Sequence, residues 1–158
     1  MQTSDLEEEA LFRAIEDSGT RAILFGRRAL IALGLPVVTF DYDFWIHSDD
    51  LLRFNAALEP IGLVANRDPA QARKFGRYVL ENDLRVDVLV ARACPTVDGV
   101  RLNFDDLWER RQTLEIAPGV HIAVPSIDDL IATKRFAQRP KDAEDIRLLT
   151  ALRDWVEP

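Results

Sequence analysis

Cysteine and histidine are both scarce in this chain, and their scarcity argues against two kinds of chemistry. The one cysteine, Cys94, has no second thiol to pair with, so no disulfide framework can form within the chain. It lies in the connection Ala93-Cys94-Pro95 with no cysteine or histidine nearby, and reads as a small structural residue rather than a nucleophile. The two histidines, His47 and His121, are far apart and neither has the spacing of a zinc ligand, which argues against a zinc site. A long apolar run is missing too: nothing approaches the roughly 18 to 20 residues that a membrane helix requires. The stretch Met1 to Glu9 is acidic and lacks the apolar centre of an export signal, so a cytoplasmic chain is expected. Positive charge is in deficit, with 20 lysines and arginines against 27 aspartates and glutamates. The net charge of −7 argues against a broad surface for nucleic-acid backbone, while leaving room for a local basic pocket.

What is present is enough for one hydrophobic core. With 158 residues, 47% of them hydrophobic, the chain is ample for one domain and short for two. A single domain over residues 1–158 is expected, with a core at about 21–92 and a helical C-terminal part at about 126–156.

The most telling stretch is Phe40-Asp41-Tyr42-Asp43-Phe44-Trp45-Ile46. Its alternation predicts a strand, in which residues i and i+2 share a face. Asp41 and Asp43 then lie together on one face, and Phe40, Tyr42, Phe44 and Ile46 turn to the core. Trp45 falls on the acid face, where it packs or stacks on a base. Two carboxylates held side by side on a rigid strand repel one another unless a cation lies between them.

Ahead of this strand, Ser4 and Glu7 have the form of a capping box for a helix over about 5–17. Ala22 to Phe25 then reads as a buried strand, Gly26 as a sharp turn, and Ala29, Leu30 and Leu33 as one side of a short helix that stops at Gly34. Beyond the strand, Ser48 is placed to cap a helix beginning at Asp49. Leu63 to Ala65 reads as a weak strand, and Arg67 to Ala72 as a polar loop. Phe75 to Leu80 and Leu84 to Val90 form a hairpin around Glu81-Asn82-Asp83. A short helix follows from Asn103, a strand covers Val120 to Val124, and Ser126 caps a helix whose inner face carries Ile127, Leu130, Ile131 and Lys134. The last helix opens at Pro140, with Asp142 and Asp145 in its first turns as dipole partners and ion-pair groups.

Asp87 is a second point of chemistry, because a lone carboxylate in a valine-rich strand is out of place there. If its strand lies beside the one carrying Asp41 and Asp43, three acids fall on one face and make a divalent-cation site. The bland reading of Asp87 is an ion pair with Arg77 or Arg85.

Taken in order, Leu24-Phe25-Gly26-Arg27-Arg28-Ala29-Leu30, then Thr39-Phe40-Asp41-Tyr42-Asp43, then Arg85-Val86-Asp87-Val88, with the tail from Ser126 to Lys134 and Arg139 to Ile146, the chain resembles the nucleotidyltransferase superfamily related to DNA polymerase beta. It looks most like the small prokaryotic members found in toxin–antitoxin and abortive-infection systems. The resemblance implies an α+β fold, a mixed β-sheet packed with helices and followed by C-terminal helices. It implies transfer of a nucleoside monophosphate from a nucleoside triphosphate to a protein or RNA acceptor, with Mg2+ or Mn2+ as cofactor. Asp41, Asp43 and Asp87 match the catalytic and metal-binding acids. Gly26 matches the first small residue of the phosphate turn, and Lys134 a phosphate-reaching lysine.

Two positions depart from the pattern. Arg27 stands where the family has its second small residue, and Val37 stands where close relatives carry an arginine before the threonine. Arg27 either obstructs the triphosphate or, with Arg28, binds it by its guanidinium. The alternative function is therefore a catalytically degenerate member acting as a binding or antitoxin-like subunit. A simple divalent-ion buffer is a third reading.

Overall fold

The computed structural model describes residues 3–137 and 139–156, without the side chains of residues 3–5. The chain opens with helix α1 (Thr3–Ser18), which buries Leu11, Phe12 and Ile15. The Ser4 side chain expected to cap this helix lies outside the described residues. Strand β1 (Ala22–Phe25) runs directly into α2 (Gly26–Ala32), and a coil leads to β2 (Asp41–Ile46). A single 3-10 turn at Ser48–Asp50 feeds α3 (Leu51–Leu58), followed by β3 (Val64–Ala65), α4 (Pro69–Phe75), β4 (Arg77–Glu81) and β5 (Arg85–Leu89). Strands β6 (Ala93–Pro95) and β7 (Arg101–Asn103) pair only with each other, and α5 (Phe104–Arg110) follows. The chain closes with β8 (Gln112–Ala117), β9 (Val120–Val124), α6 (Ile127–Thr133) and α7 (Pro140–Val156).

Seven strands form one mixed sheet in the order β3-β4-β5-β2-β1-β9-β8. The strand carrying the acid pair is thus the middle one, antiparallel to β1 and parallel to β5. Period-two alternation explains its placement: Tyr42, Phe44 and Ile46 enter the main core with Leu11, Phe12, Leu30, Leu51, Phe54 and Leu58. The opposite face is covered only in part, by a smaller cluster of Ile23, Trp45, Phe104 and Leu107. Trp45 is therefore a packing residue, and its indole donates to the Ala91 carbonyl at 2.7 Å. Among the described residues no helix is long and apolar enough to cross a membrane.

Several local expectations are corrected. Phe40 is 87% exposed rather than buried, because pairing begins only at Asp41. Ser48 is not a helix cap: His47 Nδ1 accepts from the Asp49 amide at 3.0 Å, and Ser48 lies inside the 3-10 turn. The polar stretch Arg67 to Ala72 is not all loop, since α4 occupies most of it. Asp68 caps that helix by accepting from the Gln71 amide at 2.8 Å, and Pro69 follows at its first position. Strands β6, β7 and β8 have no counterpart in the sequence reading. Cys94 lies in β6, and partial burial pushes its thiol upward, which disfavours the thiolate a nucleophile needs.

Asp50 ties the start of β1 to the entry of α3. Its carboxylate accepts from the Arg21 amide at 2.8 Å and from the Arg21 guanidinium at 2.9 and 3.0 Å. The guanidinium holds this carboxyl below its ordinary range, so its contribution is present above the unfolded pKa and is lost as pH falls toward the folded one. Asp50→Ala is expected to cost about 2 kcal/mol in urea unfolding at pH 7, a figure reduced because Arg21 is partly solvated. The difference from the parent should shrink as the pH is lowered through the carboxylate range.

Candidate active site

Strand pairing builds the acidic part of the site. In the parallel β2–β5 ladder Asp43 stands directly opposite Asp87, and Asp41 lies two residues earlier on the same face. Val86 and Val88 turn into the core, so Asp87 is left on the outer face with the other two acids. The expected juxtaposition of Asp41, Asp43 and Asp87 is thus present in the backbone. Asp43 is the most constrained of the three. Burial, followed by the charges of Asp87 and Asp41, pushes its carboxyl up to about 6, and the opposing influence of Lys134 and Arg139 does not cancel this.

Gly26 makes room for that carboxylate. Its φ of +69° favours glycine, and a Cβ there would overlap Asp43 Oδ2 and lie 3.2 Å from Cγ. Gly26→Ala combines backbone strain with this collision, and a loss of about 2 kcal/mol in urea unfolding is expected.

The acids fit a hard divalent cation by donor chemistry: three carboxylates brought to one face by the β2–β5 register supply only oxygen ligands. Asp87 as it stands is paired with Arg85, with Nη2 to Oδ1 at 3.3 Å. Among the described residues, accordingly, no three metal-binding side chains are already gathered tightly enough to hold an ion. The Arg85 pair is solvent-screened, and pairs of this kind yield readily to a stronger competitor.

Next to the acids is a cleft of about 340 Å³ lined by Gly26, Arg27, Thr39, Asp41, Asp43, Asp87, Lys134, Arg139 and Lys141, with Phe25 and Phe136 on its wall. Arg27 is partly drawn away from it: its Nη2 lies 3.1 Å from Asp145 Oδ1, and its Nη1 donates to the Val38 carbonyl at 3.3 Å. Lys134 lines the cleft but is held from behind. It is buried, with Nζ 2.9 Å from Asp145 Oδ2. Asp145 itself is fully buried, and its Oδ1 is in ion-pair range of Arg27 without the alignment of a hydrogen bond. Arg28 is absent from the cleft. Its guanidinium lies 4.1 Å above the Tyr42 ring and donates to the Thr39 carbonyl at 3.1 Å.

A second cleft, of about 470 Å³, opens on the β4–β5 side and shares Phe25, Asp43, Asp87 and Phe136 with the first. Sequence reasoning had passed over this cleft, and also Arg139, Lys141 and Phe136. The run Arg139-Pro140-Lys141 carried a signal for two of them, because cations beside a proline-started helix have few places to point.

No protein-family model matches the sequence, and no curated protein matches it significantly. Solved structures do match the fold. A Thermotoga maritima protein assigned as a nucleotidyltransferase aligns with a TM-score of 0.62 at 13% identity, covering 99% of this chain and 95% of its own. The lincosamide antibiotic adenylyltransferase LnuA, bound to lincomycin, aligns with a TM-score of 0.66 at 14% identity, over 94% of this chain and 97% of its own. The antibiotic-resistance factor ANT(2'')-Ia, in complex with adenylyl-2''-tobramycin, aligns with a TM-score of 0.62 at 16% identity, over 99% and 94%. The fold is that of the nucleotidyltransferases: a mixed sheet packed with helices, as the sequence implied.

Proposed function

We propose that this chain acts as a single-domain nucleotidyltransferase, moving a nucleoside monophosphate from a nucleoside triphosphate to a hydroxyl of a protein or RNA acceptor. The observation that carries the reading is the Asp43–Asp87 register, with Asp41 on the same face and a cation-lined cleft alongside. Asp41, Asp43 and Asp87 would hold Mg2+ or Mn2+, which when bound neutralises the triphosphate and stabilises the attacking and leaving oxygens.

The chain's own residues do the rest. Arg139 and Lys141 face the triphosphate and balance the charge of the departing pyrophosphate, while the buried Lys134 lines the same cleft beside Asp145. Asp87 accepts the acceptor hydroxyl's proton as that oxygen bonds to the α-phosphorus, and the bond from the α-phosphorus to the pyrophosphate oxygen breaks. Phe25 and Phe136 form apolar walls beside the reacting atoms and exclude water. The chain is taken to work in the cytoplasm, beside a toxin–antitoxin partner.

A second reading is favoured by Asp145, which carries the charge of both Lys134 and Arg27. On that reading the chain is a silent relative serving as a binding or antitoxin-like subunit. The two separate on incubation of the purified chain with Mg2+, each α-labelled triphosphate and a cell extract. Label transfer supports the enzyme; no binding of any triphosphate, with Mg2+ or Mn2+, sinks it.

A further inference from the structure

Two clefts that meet at one pair of acids fit a reaction that joins two molecules. On the reading above, on which this inference rests, the cleft with Lys134, Arg139 and Lys141 receives the triphosphate. The remaining cleft then receives the acceptor, and its lining states what kind of molecule that is.

Among the described residues its cations are Arg67, Arg77 and Arg85, and its only acids are Asp43 and Asp87 of the proposed reacting centre. Arg77 is exposed, and among the described residues its side chain has neither a hydrogen bond nor an ion pair. Arg67 donates only to the Arg77 carbonyl, at 2.7 Å, and lies 4.4 Å over the Phe75 ring; it too has no carboxylate partner among the described residues. Two arginines without a carboxylate partner among the described residues therefore face one cleft, beside the acids of the reacting centre. Arg85 adds a third guanidinium that is already shared with Asp87 and Glu81. The floor between them is apolar, with Val79 and Leu89 on the outer face of β4 and β5.

We propose that the acceptor is an anionic hydroxyl compound, bound through a phosphate group by Arg67 and Arg77 with its hydroxyl presented to Asp87. A guanidinium fork matches phosphate oxygens in pairs, which a lysine does not. An amino sugar would bring its ammonium groups against three guanidiniums and is disfavoured by the same lining. The phosphate belongs either to the end of a polynucleotide or to a small phosphorylated metabolite; both offer the same chemistry to these residues.

The test uses the full chain with Mg2+ and an α-labelled triphosphate, offering a short RNA with a free 3' hydroxyl, glycerol 3-phosphate, glycerol, and an aminoglycoside. Label is expected on the RNA or on glycerol 3-phosphate, whichever source is correct, and not on the last two. Arg77→Glu, an exposed change, is expected to raise the KM of the labelled acceptor about tenfold or more. Triphosphate binding by calorimetry should be unaffected and, where RNA is the labelled acceptor, its binding by fluorescence anisotropy should weaken with a shallower salt dependence. Preferred labelling of glycerol, the aminoglycoside or a protein, or an unchanged acceptor KM in Arg77→Glu, overturns the proposal while leaving the transferase intact. Absence of triphosphate binding overturns both.

Discussion

Asp43→Asn should lower nucleotidyl transfer by about three orders of magnitude or more and, in the same protein, raise the stability of the metal-free chain at neutral pH. The two effects have one cause. Asp43 is wedged between burial and two neighbouring carboxylates, and its carboxyl is pushed up to about 6. An unfolded aspartate titrates near about 3.9. Because the folded value is the higher one, the folded chain is most favoured when this group is protonated. That advantage is fully present below the unfolded pKa and is lost as pH rises through the folded one. Above it the fold carries a penalty of about 2–3 kcal/mol, which an amide of the same shape removes. Chemical unfolding of parent and variant at pH 7 and pH 4 tests this: the stabilisation should be clear at the first and nearly gone at the second. Added Mg2+ should raise the melting temperature of the parent and leave Asp43→Asn almost unmoved. A variant that loses activity and stability together would mean that Asp43 is a structural residue instead.

Asp145→Ala should be the most damaging single change to the fold. The carboxylate is fully buried, with the Lys134 ammonium 2.9 Å from one oxygen and the Arg27 guanidinium 3.1 Å from the other. Removing it leaves a buried ammonium with no counter-ion, and such breaks cost about 3–5 kcal/mol. For a chain of this size the melting temperature should fall by roughly 10 °C. Lys134→Met alone strands the carboxylate in the same way, although Arg27 still offsets part of its charge. The double change Asp145→Ala, Lys134→Met should therefore recover much of the loss. A double-mutant cycle by thermal melting measures that coupling, and additive losses would show that the pair is not a unit.

Legibility in the sequence followed the physics of each element. The acid strand could be read because a strand with one buried face must alternate, as Tyr42, Phe44 and Ile46 do; Trp45 departs from the pattern only where the smaller cluster covers the other face. The neighbourhood of Asp87 followed from the same rule applied to Val86 and Val88. Phe40 misled because its alternation continues past the point where pairing stops. The α4 segment was hidden by composition: Asp68-Pro69 is a helix start, but the surrounding arginines and glutamine made it look like a loop. Strand β8 alternates in Gln112-Thr113-Leu114-Glu115-Ile116, a pattern that only its partner β9 turns into a sheet edge.

The site divided in the same manner. Acids fixed by strand register were visible, whereas Arg139, Lys141, Arg67 and Arg77 come from loops, strand ends and helix starts whose directions depend on packing. Lys134 was visible as a residue but not as one half of a buried pair, because its partner lies on another helix. In the sequence Arg27 reads either as an obstruction or as a phosphate ligand, and the fold draws its guanidinium toward Asp145.

Position within the sheet also gives the two sides of the site different freedom to open. Strand β2 is hydrogen-bonded along both edges, so its amides exchange with solvent only when the whole molecule opens. Strand β3 has two residues and lies at the border of the sheet, beside the arginine-lined cleft, and fluctuations there involve few bonds. On the proposed function, the acids would be held stationary while the wall proposed to meet the acceptor could breathe around guests of different outline.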